Sequence, residues 1–198
     1  MSVANKSRLF ITLQHRGGRP GFHWALILAP KSEAKMQDRE STPCHRFHIT
    51  NSAQKDSKLL DNGKFAWRFE HEPFNCLVPG NVIARILVAK LSSSEKHPAG
   101  TDDPWRKQVK LIEDVLESVP LVQGDLNWTC RVWLQQALRA LREHGGDFAT
   151  IPHIDIGGQG EVDVVSFGNQ AVEIIKARKG VVRQPGDLPQ LDMRLRLG

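Results

Sequence analysis

The sequence predicts an α+β domain, with an antiparallel sheet of about five strands packed with about three helices. Two observations carry this. In the first half of the chain, short apolar or alternating runs recur between turn signals, which is the period-two mark of strands. In the second half, apolar residues recur at spacings of three and four, as on the buried face of a helix. The length of 198 residues, with 40% hydrophobic and 25% charged residues, suits one domain with a sizeable core. Residues 1–180 are expected to form a single catalytic domain and residues 181–198 an irregular tail.

Taken in order, residues 7–13 (SRLFITL) read as a first strand and residues 14–21 as a basic, glycine-rich loop. Residues 22–29 (FHWALILA) read as a nearly continuous apolar strand with His23 at its mouth, ended by Pro30. Residues 31–43 are polar and charged, so they read as a loop. Residues 44–51 (CHRFHITN) alternate, placing Arg46, His48 and Thr50 on one face and His45, Phe47 and Ile49 on the other. The turn signal Asp61-Asn62-Gly63 leads into a fourth strand at 64–70, with Phe65, Trp67 and Phe69 on one face. Residues 82–91 make a fifth strand, and 92–103 a linker. A helix follows over 104–119, with Asp103 as cap and Pro104 at its first position. Asn127 is a suitable cap for a second helix, which runs to about Arg142 and is closed by Gly145-Gly146. The last helix spans 164–178.

Composition narrows the function classes. No stretch approaches the roughly 18 apolar residues of a membrane span, and residues 1–6 lack the apolar core of a signal peptide. The three cysteines, Cys44, Cys76 and Cys130, have no metal-like spacing. They point to free thiols, a reducing compartment and a cytoplasmic address. Nothing calls for a cofactor or a membrane. The net charge of +5 and pI of 9.3 suit a polyanionic partner such as RNA. No tyrosine is present to act as acid, base or stacking platform.

Chemistry concentrates at Cys130. Counted from Asn127, it is the third residue of its helix, where unpaired N–H groups and the helix dipole favour a thiolate. A thiol nucleophile needs a base and a group that orients the base. His23 on one strand and His48 on the next supply that pair if the helix start packs against the sheet beside them. The alternatives are a buried, inert thiol and structural histidines. A zinc site from Cys44, His45, His48 and Cys130 is a further alternative.

These residues carry a resemblance. His23-Trp24-Ala25-Leu26 on a strand, a second histidine on the next strand and Asn127-x-x-Cys130 opening a later helix resemble the circularly permuted papain-like thiol enzymes. The lecithin–retinol acyltransferase group shows the same order of histidine, histidine, cysteine. The resemblance implies a permuted papain-like fold, with His23 as base, His48 as orienter and Cys130 as the thioester carrier. That group has asparagine directly before the cysteine, and a C-terminal membrane anchor. This chain has Thr129 before Cys130 and no such anchor, so the resemblance does not extend to lipid acyl transfer.

The layout is also similar to a group of small fungal proteins sharing the segments 22–26, 46–48 and 119–123, then Trp128-x-Cys130-x-x-Trp133. That group is associated with the arginine-containing cyclodipeptide synthases, which join arginine to a second amino acid using charged transfer RNA. The resemblance implies arginyl-transfer RNA and a second amino acid, or its aminoacyl-tRNA, as partners. Cys130 would hold the arginyl group, and a helix-start amide would hold the oxyanion. Arg16, Arg19, Lys31, Lys35, Arg131 and Arg139 would meet phosphates. A carboxylate among Glu70, Asp125, Glu161 and Asp163 would face the guanidinium. Trp24, Trp128 and Trp133 are candidates for the pocket wall. A thiol hydrolase, with water as acceptor, and a non-enzymatic ligand-binding protein remain alternatives on the same residues.

Overall fold

A computed structural model describes residues 6–37, 43–77, 82–92 and 103–195. Strands β1 (Ser7–Arg16) and β2 (Arg19–Ala29) form a hairpin that turns at Gly17-Gly18. Both glycines hold positive φ, 57° and 81°. Only a residue without a Cβ takes two such positions in a row cheaply, which permits the two-residue reversal. The basic stretch expected as a loop over 14–21 is therefore mostly strand.

β3 (Cys44–Thr50), β4 (Arg68–Phe74), β5 (Val82–Leu91) and β6 (Gln190–Asp192) complete a six-stranded sheet in the order β4-β3-β2-β1-β5-β6. All its pairings are antiparallel except β5 with β6, which is parallel. The α+β class holds, and the sheet is mixed. The described part of the tail, residues 181–195, is not all irregular: it makes a tight turn at Pro185–Asp187 and then the edge strand β6. Asp187 fixes that turn by accepting from the amides of Arg183 and Gln184.

The fourth strand begins at Arg68, not at residue 64. The Asp61–Gly63 turn sits inside the long connection before it, where Leu59 bridges Phe65. The reason lies far along the chain. The Gln123 side chain accepts from the Trp67 amide at 2.8 Å and donates to the Trp67 carbonyl at 2.8 Å. A glutamine thus occupies the place a neighbouring strand would take.

Helices α1 (Pro104–Glu117), α2 (Cys130–His144) and α3 (Gln159–Ala177) cover one face of the sheet. Asp103 caps α1 through the Trp105 amide at 3.0 Å, with Pro104 at the first position. The main core joins Leu9, Ile11 and Leu13 of β1, Trp24, Leu26 and Leu28 of β2, and Phe47 and Ile49 of β3 to the inner face of α2. That face is Trp133, Leu134, Ala137, Leu138 and Leu141, all at most 1% exposed. A smaller cluster of Phe10, Ile27, Ala29, Cys44, Phe74, Cys76 and Leu188 lies on the other face. It is flanked by a buried ion pair, Arg85 with Glu33 at 2.7 Å.

One irregularity positions the site. β3 pairs with β4 along its whole length but with β2 only at residues 26–28. Beyond Leu26, towards the hairpin turn, β2 has no β3 partner. The start of α2 enters there.

The entry to α3 generates a prediction. A Cβ at Gly160 would stand 2.3 Å from the His153 carbonyl oxygen, a backbone atom that cannot swing aside. Gly160→Ala should therefore destabilise the fold by about 1–3 kcal/mol, against a gain of up to about 1 kcal/mol expected for alanine in an open helix. A thermal melt of the variant checks it; a melting temperature equal to or above the parent's contradicts the close packing.

Candidate functional site

Cys130 is the first residue of α2, and Thr129 is its cap, with extended backbone and no side-chain cap bond. The first helical bond runs from the Trp133 amide to the Thr129 carbonyl at 3.1 Å. Asn127 does not cap the helix as expected: the helix starts at Cys130, which puts Asn127 two residues before the cap, in a local turn where its backbone N–H donates to the Asp125 carboxylate at 2.8 Å. As a first-turn residue, Cys130 carries an N–H with no acceptor inside the helix.

The sulfur is hydrogen-bonded by the backbone N–H groups of Trp24 and Arg131. The Trp24 amide is the peptide that joins His23 to Trp24. Amides of a strand lie in the plane of its sheet, so the sulfur sits level with β2, in the gap that β3 leaves. Neighbouring residues of a strand point to opposite faces. Trp24 faces the helix-covered core. His23 faces the other way, on the side that also carries His48.

There the two imidazoles meet, Nε2 of His23 against Nδ1 of His48 at 2.9 Å, edge to face with the rings at 81°. The next group out is Glu70, whose Oε2 lies 3.6 Å from His48 Nε2. That spacing is too long for a hydrogen bond, and His48 Nε2 has no closer acceptor. The carboxylate charge still favours a proton on His48 Nε2. His48 Nδ1 then accepts from His23 Nε2–H, and His23 Nδ1 carries the free lone pair. We assign the tautomers on this basis. His48 thereby orients His23 and fixes which of its nitrogens is basic.

Burial dominates the electrostatics. It lowers His23 to about 4, with Arg46 and Arg16 adding to the effect. It lowers His48 to about 2, with Arg46, His23 and Arg68 contributing. It raises the Cys130 thiol above its ordinary 9.0, and the Trp24 amide, Arg16 and Arg131 only partly offset this. The expectation that the helix start makes a ready thiolate is therefore overturned at rest: removal from water outweighs the dipole. At neutral pH the site holds a thiol and two neutral imidazoles.

Cys130 also lines a cavity of about 890 Å³ on the helix side of the sheet. Its aromatic wall includes Phe22, Trp24, Phe65, Trp67 and Trp128, and its rim carries Arg16, Arg19, Lys64 and Arg131. Neither imidazole is part of the lining. The thiol lies in the cavity lining with the Trp24 amide against its sulfur, and no hydrogen bond joins it to the His23 imidazole, which faces the other side of the sheet.

The structure sorts the other expected site residues. Arg16, Arg19 and Arg131 gather at the cavity. Lys31 and Lys35 lie in the turn beyond the far end of β2, about 33 Å of strand away from Arg19. Arg139 lies further along α2, outside the cavity lining, paired with Asp155 at 3.0 Å. Of the four candidate carboxylates, Asp125 alone lines the cavity. Glu70 is held by Arg68 at 2.6 Å and Gln54 at 3.1 Å. Glu161 takes Arg131 at 3.0 Å, Gln135 at 2.9 Å and the Gly157 amide at 2.8 Å. Asp163 takes Gln159 at 2.7 Å. Trp128 is in the wall, whereas Trp133 is fully buried against Phe69.

The four-ligand zinc set does not assemble. Cys44 and Cys130 belong to clusters on different faces, and His45 is paired with His71 at 3.1 Å. Sequence reasoning passed over Lys64, Asn51 and Asn169, which line the cavity. An exposed lysine or asparagine carries no periodic signal that would mark it.

Two predictions follow from the buried groups. The folded chain refuses protons that unfolded histidines accept below about 6.5, so stability is full above that pH and falls as pH drops towards 4. Urea unfolding at pH 7.5 and 4.5 should show a larger loss for the parent than for His23→Gln, by roughly 2 kcal/mol; equal losses would contradict a buried, neutral His23. Iodoacetamide should label Cys130 before Cys44 and Cys76, and its rate should keep climbing above pH 9. A rate that levels off near neutrality would mean a resting thiolate instead.

Residues 6–100 of the chain match a family described as a family of unknown function (DUF6914). The match spans β1 to β5, including both histidines, and ends before Cys130. No curated protein and no solved structure matches the chain.

Proposed function

We propose that the protein is a cysteine-nucleophile acyltransferase that draws aminoacyl groups from charged transfer RNA and joins arginine to a second amino acid as a cyclic dipeptide. The observation that carries this reading is the position of the Cys130 sulfur, between a cation-rimmed cavity and the peptide bearing His23. The order of the parts, histidine strand, histidine strand, then cysteine at a helix start, also fits the permuted papain-like layout that the sequence resembles.

The chemistry runs in two halves. In the first, His23 takes the thiol proton through a bridging water, since the two side chains make no direct hydrogen bond, as Cys130 attacks the ester carbonyl of the charged RNA, and the ribose hydroxyl leaves with a proton. The proton transfer is uphill at rest. Burial holds the thiol above its ordinary range and the imidazole down to about 4, so the proton moves only as the carbonyl is attacked. The Cys130 N–H, unpaired at the helix start, is the donor placed to hold the oxyanion. In the second half, the amine of a second aminoacyl-tRNA attacks the thioester and frees the Cys130 thiol; the arginyl amine then attacks the ester carbonyl of the resulting dipeptidyl-tRNA, which closes the ring and releases the second RNA through its ribose hydroxyl.

The rim suits the carrier. Arg16, Arg19, Lys64 and Arg131 are all exposed and edge the cavity, so they can meet phosphates near an RNA end. Asp125 is the carboxylate available to a substrate guanidinium. This reading puts the protein in the cytoplasm, where charged RNA is made. Among the described residues, no helix is long and apolar enough to cross a membrane.

The test is incubation with arginyl-transfer RNA and a mixture of other aminoacyl-transfer RNAs, with products read by mass spectrometry. An arginine-containing cyclic dipeptide is expected, and Cys130→Ala should reduce it by about 10³-fold or more. Arg19→Ala and Lys64→Ala should each weaken RNA binding and lower its salt slope by about one. Cys130-dependent release of free arginine without a cyclic product would make water the acceptor and the protein a hydrolase. No RNA-dependent product of either kind would refute the proposal.

A further inference from the structure

A second cluster of reactive side chains lies on the face of the sheet away from the helices. Glu33 comes from the short turn Lys31–Lys35, Cys44 opens β3, and Cys76 follows the end of β4. Their potential ligand atoms all lie within 4.8 Å of one another. The three residues are 1%, 2% and 4% exposed.

Glu33 is the informative member. Its Oε2 accepts from Nη1 of Arg85 at 2.7 Å, while its Oε1 is buried with no hydrogen-bond partner. A buried carboxylate oxygen left bare is costly, by about 1–3 kcal/mol or more. Native structures seldom tolerate one without a reason. The Cys44 and Cys76 thiols are in hydrogen-bond contact, and that contact and burial hold Cys44 well above the ordinary thiol range.

We propose that Glu33, Cys44 and Cys76 bind a thiophilic divalent cation, zinc by preference, through Oε1 and the two sulfurs. Tetrahedral ligands at zinc distances stand about 3.5–3.8 Å apart, so atoms already this close need to move by only about 1 Å. Paired sulfurs select zinc over magnesium or calcium, and the carboxylate oxygen is an ordinary third ligand. The fourth position is left to a water.

The charges balance. At rest the site holds one carboxylate, one guanidinium and two neutral thiols. Binding replaces two thiol protons with one dication: 2 RSH + M²⁺ gives M(SR)₂ + 2 H⁺. The buried site is neutral before and after, which a low-dielectric interior requires. Arg85 acts as the outer partner: it holds Oε2 and leaves Oε1 for the ion. The ion would tie the 31–35 turn, the start of β3 and the end of β4 together. It would do so without any residue of the Cys130 cavity.

The full chain, expressed with zinc, is analysed for metal content, then exchanged into cobalt(II) for its visible spectrum. About one ion per chain is expected, with intense sulfur-to-cobalt bands and the strong d–d bands of a tetrahedral site. Cys130→Ala should keep both, and Glu33→Gln should weaken zinc binding by about tenfold or more. Protein that takes up neither ion overturns the proposal. So does cobalt bound without sulfur bands, or bands that persist in Cys44→Ser. So would a metal-free preparation in which Cys44 and Cys76 are joined as a disulfide.

Discussion

The site depends on one peptide bond. The amide between His23 and Trp24 donates to the Cys130 sulfur where β3 leaves β2 unpaired. It can do so because β3 stops pairing with β2 at Leu26. A continuous ladder would have claimed that N–H and shut the helix start out of the sheet. The splay costs strand hydrogen bonds, and the structure replaces them with contacts from elsewhere. The thiol takes the Trp24 amide there, and at a separate place ahead of β4 the Gln123 side chain takes both backbone groups of Trp67. The aromatic wall then closes around the opening.

The same burial that builds the site also quiets it. Both histidines are held neutral and the thiol is held protonated. An ion pair formed in advance would be unfavourable in so dry a place. The arrangement suits a base that acts only during attack, with its tautomer set by His48 and, further out, Glu70. The cavity side is different in character. Four cations and one carboxylate, Asp125, stand at the lining, and Glu161 just outside it pairs with one of them, Arg131. That balance favours an anionic carrier over a free cationic substrate, so a guanidinium would depend on Asp125 and on attachment to phosphate-bearing RNA.

Much of the fold was legible because periodicity is a local property. Alternation placed Phe47 and Ile49 on the core face and Arg46 and His48 on the other. The Asp103-Pro104 start of α1 and the Gly145 stop of α2 followed from capping chemistry alone. The failures share a different cause, competition from groups distant in sequence or from local alternatives. The false strand start at residue 64 was decided by Gln123, whose side chain holds Trp67 from 56 positions away. Asn127 is not the cap because the chain makes a local turn at Asp125 and the helix starts only after Thr129. β6 is three residues long and parallel, too short for any period to show. At the site, the placement of His23 and His48 on adjacent strands and of Cys130 at a helix start was readable from the sequence. Which carboxylate faces the cavity was not, since four acids look alike until Arg68, Arg131 and Gln159 claim three of them.

The account stands or falls on a covalent adduct and its dependence on one imidazole. Intact mass after acid quench, on protein mixed with arginyl-transfer RNA, measures both. The account predicts an arginyl adduct on Cys130 that hydroxylamine removes. It should form far more slowly in His23→Gln at neutral pH, and recover in that variant at alkaline pH, where the thiol ionises unaided. An adduct rate indifferent to His23 across that range, or no adduct while the RNA is bound, would contradict it.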